Sequence, residues 1–177
     1  MTALLSTIAR PEPGEYDPYY KRYIALVKTD DIVATLEQQA EESRALLGPL
    51  SAEQAEFRYA PGKWSVKEVV GHLSDTERIL SYRALRIGRG DATPIEGFEQ
   101  DDYVPNGKFG QRTMADLLEE FRAVRKATIQ LFRHFDAQAA ARRGTANQKQ
   151  ITARALGFII AGHELHHRQT LQEKYLK

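Results

Sequence analysis

Apolar positions recur along this chain with the three-to-four-residue spacing of amphipathic helices, and no stretch carries a clear two-residue strand pattern. Four long helices follow from that spacing. The first is expected from about Asp30 to Leu47, with Asp30 or Asp31 as N-cap and Gly48-Pro49 as its stop. Ser51-Ala-Glu-Gln54 has the form of a capping box and predicts a short helix. Ser65-Val-Lys-Glu68 repeats that form and opens the second long helix, which continues to about Ile87. The third spans about Thr113 to Phe135, with Leu117, Phe121, Val124, Thr128 and Phe132 on one side, and the fourth about Thr152 to Tyr175.

Residues 1–28 are rich in Pro and Tyr without a clean period, and read as an extended arm, with one turn of helix, along the body. The Gly- and Pro-punctuated connection from Gly88 to Arg112 is long for a compact domain, and such connections are more often functional than idle. A connection of that length can cross a bundle, so the helices it joins need not be antiparallel. The expected architecture is all-α: a four-helix bundle with an N-terminal arm and a long loop between helices 2 and 3, forming one domain over residues 1–177.

Composition narrows the function. The 25 basic and 24 acidic residues leave a net charge of +1, with no polyanion-binding signature, so nucleic acid is not expected as a partner. No apolar run approaches the roughly 20 residues of a membrane span, and Met1–Arg10 lacks the basic start of a secretory signal. Cysteine is absent, which fits a cytoplasmic location and means that any thiol chemistry must come from a substrate or cosubstrate.

Three of the five histidines fall in Gly162-His163-Glu164-Leu165-His166-His167. At about 100° per residue, His163 and His167 straddle the centre of the stripe formed by Leu156, Ile159, Ile160 and Leu171, while His166 and Glu164 lie on its flanks. A buried polar group without a partner costs roughly 1–3 kcal/mol. One shared metal ion satisfies two imidazoles at i and i+4; the alternative is a pair of core histidines bonded to backbone or water. A third ligand is expected upstream. His134 lies opposite its helix's apolar stripe and should face solvent, whereas His72 sits at the edge of such a stripe and is the better candidate. Three histidines leave coordination positions open, as in catalytic rather than structural sites. Glu68, one turn before His72, is a candidate to orient that imidazole, with its capping-box role as the alternative. Asp75 is a further candidate to complete the coordination.

His163 to His167 also satisfies the H-E-x-x-H pattern of zinc proteases, in which Glu164 would activate a water. That reading is set aside, because the pattern recurs by chance and no strand system is evident to hold a peptide. The basic residues Arg83, Arg86, Arg89, Arg142, Arg143 and Lys149 read as solvated helix ends, with an anionic cosubstrate as the alternative. Trp64 reads as a core anchor.

Three segments taken together, Tyr59-Ala-Pro-Gly-Lys-Trp64-Ser-Val-Lys-Glu68-Val-Val-Gly-His72-Leu, then Arg89-Gly-Asp-Ala-Thr-Pro-Ile-Glu-Gly-Phe98, then Ile159-Ile-Ala-Gly-His163-Glu-Leu-His-His167, resemble the DinB/YfiT-like superfamily. The resemblance implies an up-down-down-up bundle and a divalent ion, nickel or zinc, on His72, His163 and His167. It implies a small-molecule substrate, a homodimer, and either transfer of a low-molecular-weight thiol such as bacillithiol or mycothiol to an electrophile, or metal-dependent hydrolysis. A non-enzymatic, stress-related metal-binding role is the remaining alternative. Tyr19 and Tyr20 of the arm and the segment from Glu99 to Tyr103 are expected to line the opening, with His166 and Tyr103 in the pocket.

Overall fold

The computed structural model describes residues 8–177. Eight α-helices follow in chain order: α1 (Lys21–Ile24), α2 (Ile32–Leu47), α3 (Ala52–Glu56), α4 (Val66–Gly88), α5 (Gln100–Gly107), α6 (Met114–Arg133), α7 (Ala137–Ala141) and α8 (Ala153–Lys174). Their starts are set locally. Asp31, Ser65, Thr113 and Thr152 each accept a backbone N–H from the first turn of α2, α4, α6 and α8. Both sequence-predicted capping boxes form, at Ser51 with Gln54 and at Ser65 with Glu68.

The directions of the four long helices follow from their contacts. Gln39 and Ser43 of α2 bond to Ala161 and Glu164 of α8 in rising order, so these two run parallel. Glu37 meets Arg133, whereas Arg44 shares a groove with Leu118, so α2 and α6 are antiparallel. Gly71 near the start of α4 packs on Phe109, just before α6, and Gly88 at its end packs on Phe135, just after α6. Therefore α4 and α6 are parallel. Trp64, before α4, accepts a hydrogen bond from Tyr175, after α8, which makes α4 and α8 antiparallel. The topology is up-down-down-up, with the long connection supplying the parallel step.

Two features depart from the sequence expectation. A short antiparallel hairpin, β1 (Arg143–Ala146) and β2 (Lys149–Thr152), precedes α8, with Arg143 opposite Thr152 and Ala146 opposite Lys149. Four-residue strands are too short to register as an alternation; their turn is carried by Asn147 and Gln148 at φ 49° and 62°. The connection is also not a plain loop. It contains α5, which has no side-chain cap and carries Pro105 internally, so the usual start and continuation signals are missing.

The core divides into two groups of buried apolar side chains. One lies around Leu36, Leu80, Phe132, Leu156 and Phe158. The other, around Val70, Leu73, Leu117, Phe121 and Leu171, occupies the end of the bundle where α4 begins and α8 finishes. The arm is firmly attached: Tyr23, Ile24 and Val27 are buried. Among the described residues, no helix is long and apolar enough to cross a membrane.

Candidate metal centre

Near the boundary between those two groups, the stripes of α4 and α8 are interrupted by imidazoles. His72 of α4 and His163 of α8 are buried and His167 is half-buried. His163 Nε2 lies 3.2 Å from His72 Nε2 and 3.1 Å from His167 Nε2. One ring nitrogen from each residue lies within 4.8 Å of the other two. Two nitrogens about 2.1 Å from a common ion, subtending an angle of roughly 95–100° there, would be about 3.1–3.2 Å apart. The spacing therefore matches the ligand set of a single divalent ion.

Electrostatics favour the same occupant. Burial lowers the pKa of His72 to about 4 and that of His167 to about 3. Burial, followed by repulsion from His167 and His72, pulls His163 well below its ordinary value. All three rings are thus neutral at pH 7, the form that ligates a metal. A neutral imidazole carries one N–H. His163 Nε2 carries either one N–H or one lone pair, so it can make one full hydrogen bond to its two close neighbours and the other contact is left imperfectly matched. A cation resolves that conflict.

The positions behind the rings are sealed by close packing. Gly71 precedes His72, and a Cβ there would lie 2.3 Å from the Phe109 ring. Gly162 precedes His163, and a Cβ there would lie 2.1 Å from the carbonyl oxygen of Tyr23. The connection and the arm therefore press directly onto the two helices beside the ligands. On the other side the trio opens outward through His167. A cleft of about 540 Å³ is lined by His167, Tyr59, Lys63, Trp64, Asp101 and Tyr175, among others.

Several expected positions fall elsewhere. Glu68 does not orient His72; its carboxylate caps Ser65 and pairs with Arg58 at 2.5 and 2.9 Å. The group bonded to His72 Nδ1 is Thr76 Oγ1, at 3.4 Å. Asp75 pairs with Arg78 at 3.5 Å, and burial raises its pKa. Glu164 faces away from the cleft. It accepts from Ser43 at 2.5 Å and pairs with Arg125 at 2.7 Å, so it cannot serve a protease-like base role. His166 is half-buried edge-on to Tyr23, at 5.5 Å between ring centroids. Tyr103 stacks on Phe98 rather than lining this cleft, where Gln100 and Asp101 of α5 stand instead. Tyr19 and Tyr20 line a different cavity. Trp64 is a wall of the cleft and packs 4.7 Å from the His72 ring, a role beyond core anchor. His134 is exposed, as its helical position predicted.

Sequence reasoning missed Thr76, whereas Asp101 falls in the Glu99–Tyr103 segment expected at the opening. Thr76 had a signal, since i+4 on a helix is within reach of His72.

A family model described as the DinB superfamily matches residues 35–171. A solved structure, YfiT from Bacillus subtilis, superposes with a TM-score of 0.75 over 95% of both chains at 18% identity. That protein is described as a probable metal-dependent hydrolase with an unusual four-helix bundle topology. No curated protein sequence matches the chain.

Proposed function

This chain belongs to the DinB superfamily, and we propose that His72, His163 and His167 hold a divalent ion, nickel or zinc, that activates a small thiol for attack on an electrophile bound in the adjoining cleft. When bound, such an ion lowers the pKa of a coordinated thiol enough to deprotonate it at neutral pH. The observation that carries the reading is the convergence of three neutral imidazoles, two buried and one half-buried at the edge of an open cleft.

The surrounding side chains bear on which nucleophile is used. Activation of a water commonly draws on a carboxylate base, as in metalloproteases. Here Glu68, Asp75 and Glu164 are all tied to arginines. A coordinated thiol needs no such base, and the chain has no cysteine to compete for the ion. The cleft falls within the size range of small-molecule sites. Its aromatic walls, Trp64, Tyr59 and Tyr175, exclude water from one side of a bound ligand, while Lys63 offers a cation to an anionic one.

Hydrolysis is the second reading, favoured by one observation: Asp101 lines the cleft and is a carboxylate available to accept a proton from water. The two readings separate in one experiment. The metal-loaded protein is incubated with a chromogenic aryl halide and a low-molecular-weight thiol, and separately with a chromogenic ester. We expect metal-dependent, thiol-dependent conjugation that falls by more than about 100-fold in His167→Ala, a larger loss than outer-shell changes give, and persists in Asp101→Asn. Conjugation indifferent to metal and to His167→Ala would refute the proposal. Ester turnover abolished by Asp101→Asn, with no conjugation, would transfer it to hydrolysis.

A further inference from the structure

A second cavity, of about 330 Å³, opens where the arm, α4 and the β-hairpin meet. It is lined by Tyr20 and Asp17 of the arm, Arg83 of α4, and Asn147, Lys149 and Gln150 of the hairpin. Arg83 lies eleven residues along α4 from His72, about 16 Å at the helical rise. The cavity is therefore separate from the metal centre.

Arg83 is the unusual member. Its residue exposure is 3%, yet among the described residues it has no carboxylate within ion-pair distance. Its Nη2 donates to the Glu96 carbonyl at 2.8 Å, and its Nε, fully buried, has no partner. Sequence reasoning placed Arg83 with the solvated helix ends, and the others in that group are half-buried or exposed. Arg86 pairs with Asp91 at 2.6 Å, Arg142 donates to the Gly88 carbonyl, Arg143 donates to the Gly14 carbonyl at 3.0 Å, and Arg89 stacks over Phe135. Arg83 differs in being buried: apart from the Glu96 carbonyl its guanidinium has the Phe98 ring at 5.9 Å and no carboxylate, where an exposed arginine would have water. Burial pulls its pKa below the ordinary arginine value, although the guanidinium stays charged at neutral pH.

The surrounding charges do not cancel it. Asp17 shares the cavity, but its carboxylate accepts from the Tyr19 N–H at 2.9 Å and lies 3.6 Å from the Lys149 ammonium. Counting Arg83 and Lys149 against Asp17 leaves an excess positive charge. The walls are built rather than incidental. Ile95 of the connection donates its backbone N–H to the Thr145 carbonyl at 2.9 Å and accepts from the Asn147 N–H at 2.8 Å, and Gly97 lets the Asn147 side chain come within 2.5 Å of where a Cβ would stand. A buried cation without a counter-charge is costly, and a ligand that completes its planar fork recovers that cost.

We propose that this cavity binds a small anion carrying a carboxylate or phosphate group, gripped by the guanidinium of Arg83 with Lys149 at the mouth. The site is independent of the metal centre, so it stands whether or not the thiol chemistry does.

The test is isothermal titration of the full chain with inorganic phosphate, and separately with succinate, at low ionic strength. At least one of the two probes is expected to bind. Affinity should fall at least tenfold in Arg83→Met and in Lys149→Glu, and stay within twofold in His167→Ala. Lys149 is a largely exposed side chain, so its substitution keeps the test valid if Arg83→Met fails to fold. Absence of binding by both probes overturns the proposal. So does binding that Lys149→Glu leaves unchanged, or binding that His167→Ala removes.

Discussion

Two buried polar clusters sit back to back on α8, at consecutive residues, and they are opposites. On the face turned to α4, His163 joins His72 and His167 in a group with no charge and with ring nitrogens that the protein leaves incompletely paired. On the face turned to α2 and α6, Glu164 joins Ser43, Arg125 and Glu77 in a group with full charges and close partners. Arg125, 1% exposed, bonds Glu77 at 2.8 and 2.7 Å, pairs with Glu164 at 2.7 Å and donates to the Leu36 carbonyl at 3.2 Å. Burial disfavours its charge, but the flanking Glu164 and Glu77 outweigh that and raise its pKa. The second cluster ties all four long helices together and has little capacity left for a ligand. The first is incomplete without one. Burial alone does not mark a functional residue; a buried group whose bonding capacity is unspent does.

The largest way to break this comparison is Arg125→Met. Removing one partner of a buried ion pair typically costs about 3–5 kcal/mol, because the other charge is left uncompensated. Here two carboxylates would be stranded. For a domain of this size that corresponds to a fall in melting temperature of roughly 6–20 °C. Calorimetry of the metal-free protein checks it. A shift below about 2 °C would show that the charged cluster is not the clamp described.

The second prediction concerns pH and separates the clusters by sign. The three histidines have folded-state pKa values below the unfolded value of about 6.5. The native state therefore takes up fewer protons than the unfolded chain as pH falls through 6.5, and stability is lost until the folded values are reached, near 4 for His72 and 3 for His167. Between pH 7 and 5 the loss is about 2 kcal/mol per buried histidine. His72→Ala should flatten that slope. Added nickel or zinc should raise the melting temperature at pH 7.5 and still do so at pH 5, because His72 and His167 stay unprotonated in the folded state until the pH approaches 4 and 3. A metal-free protein equally stable at both pH values would contradict the buried, neutral trio.

Much of this was legible in the sequence, for identifiable reasons. The four long helices were, because capping residues and 3.6-residue periodicity are local signals; Asp31, Ser65 and Thr152 all cap where expected. The outward position of His134 and the inward positions of His163 and His167 followed from helical geometry alone. The hairpin at Asn147-Gln148, the helical form of α5, and which residues of the Glu99–Tyr103 segment face the cleft were not legible, since each is decided by contacts between distant segments. Glu164 is the instructive case. Its place on the flank of the α8 stripe was read correctly, but only the packing of α2 and α6 shows which neighbours that flank meets. Glu68 and Thr76 are a matched pair of the same kind, one turn before His72 and one turn after it.

That pair supplies the smallest prediction. A ligating imidazole is oriented by whatever accepts its second N–H. On α4 the hydroxyl of Thr76, 3.4 Å from His72 Nδ1, holds that position, and a proton shared there keeps the Nε2 lone pair turned toward His163. Thr76→Val removes the hydroxyl at nearly constant volume, and is expected to weaken metal affinity by about tenfold, the low end for such outer partners. Glu68→Gln should leave affinity unchanged and cost only about 1 kcal/mol of stability, through the weakened cap and the lost pairing with Arg58. Competition titration against a chromogenic chelator measures both variants on the same scale. If the order were reversed, with Glu68→Gln weakening binding and Thr76→Val not, the orienting group would lie on the opposite side of His72 from where the hydrogen bond places it.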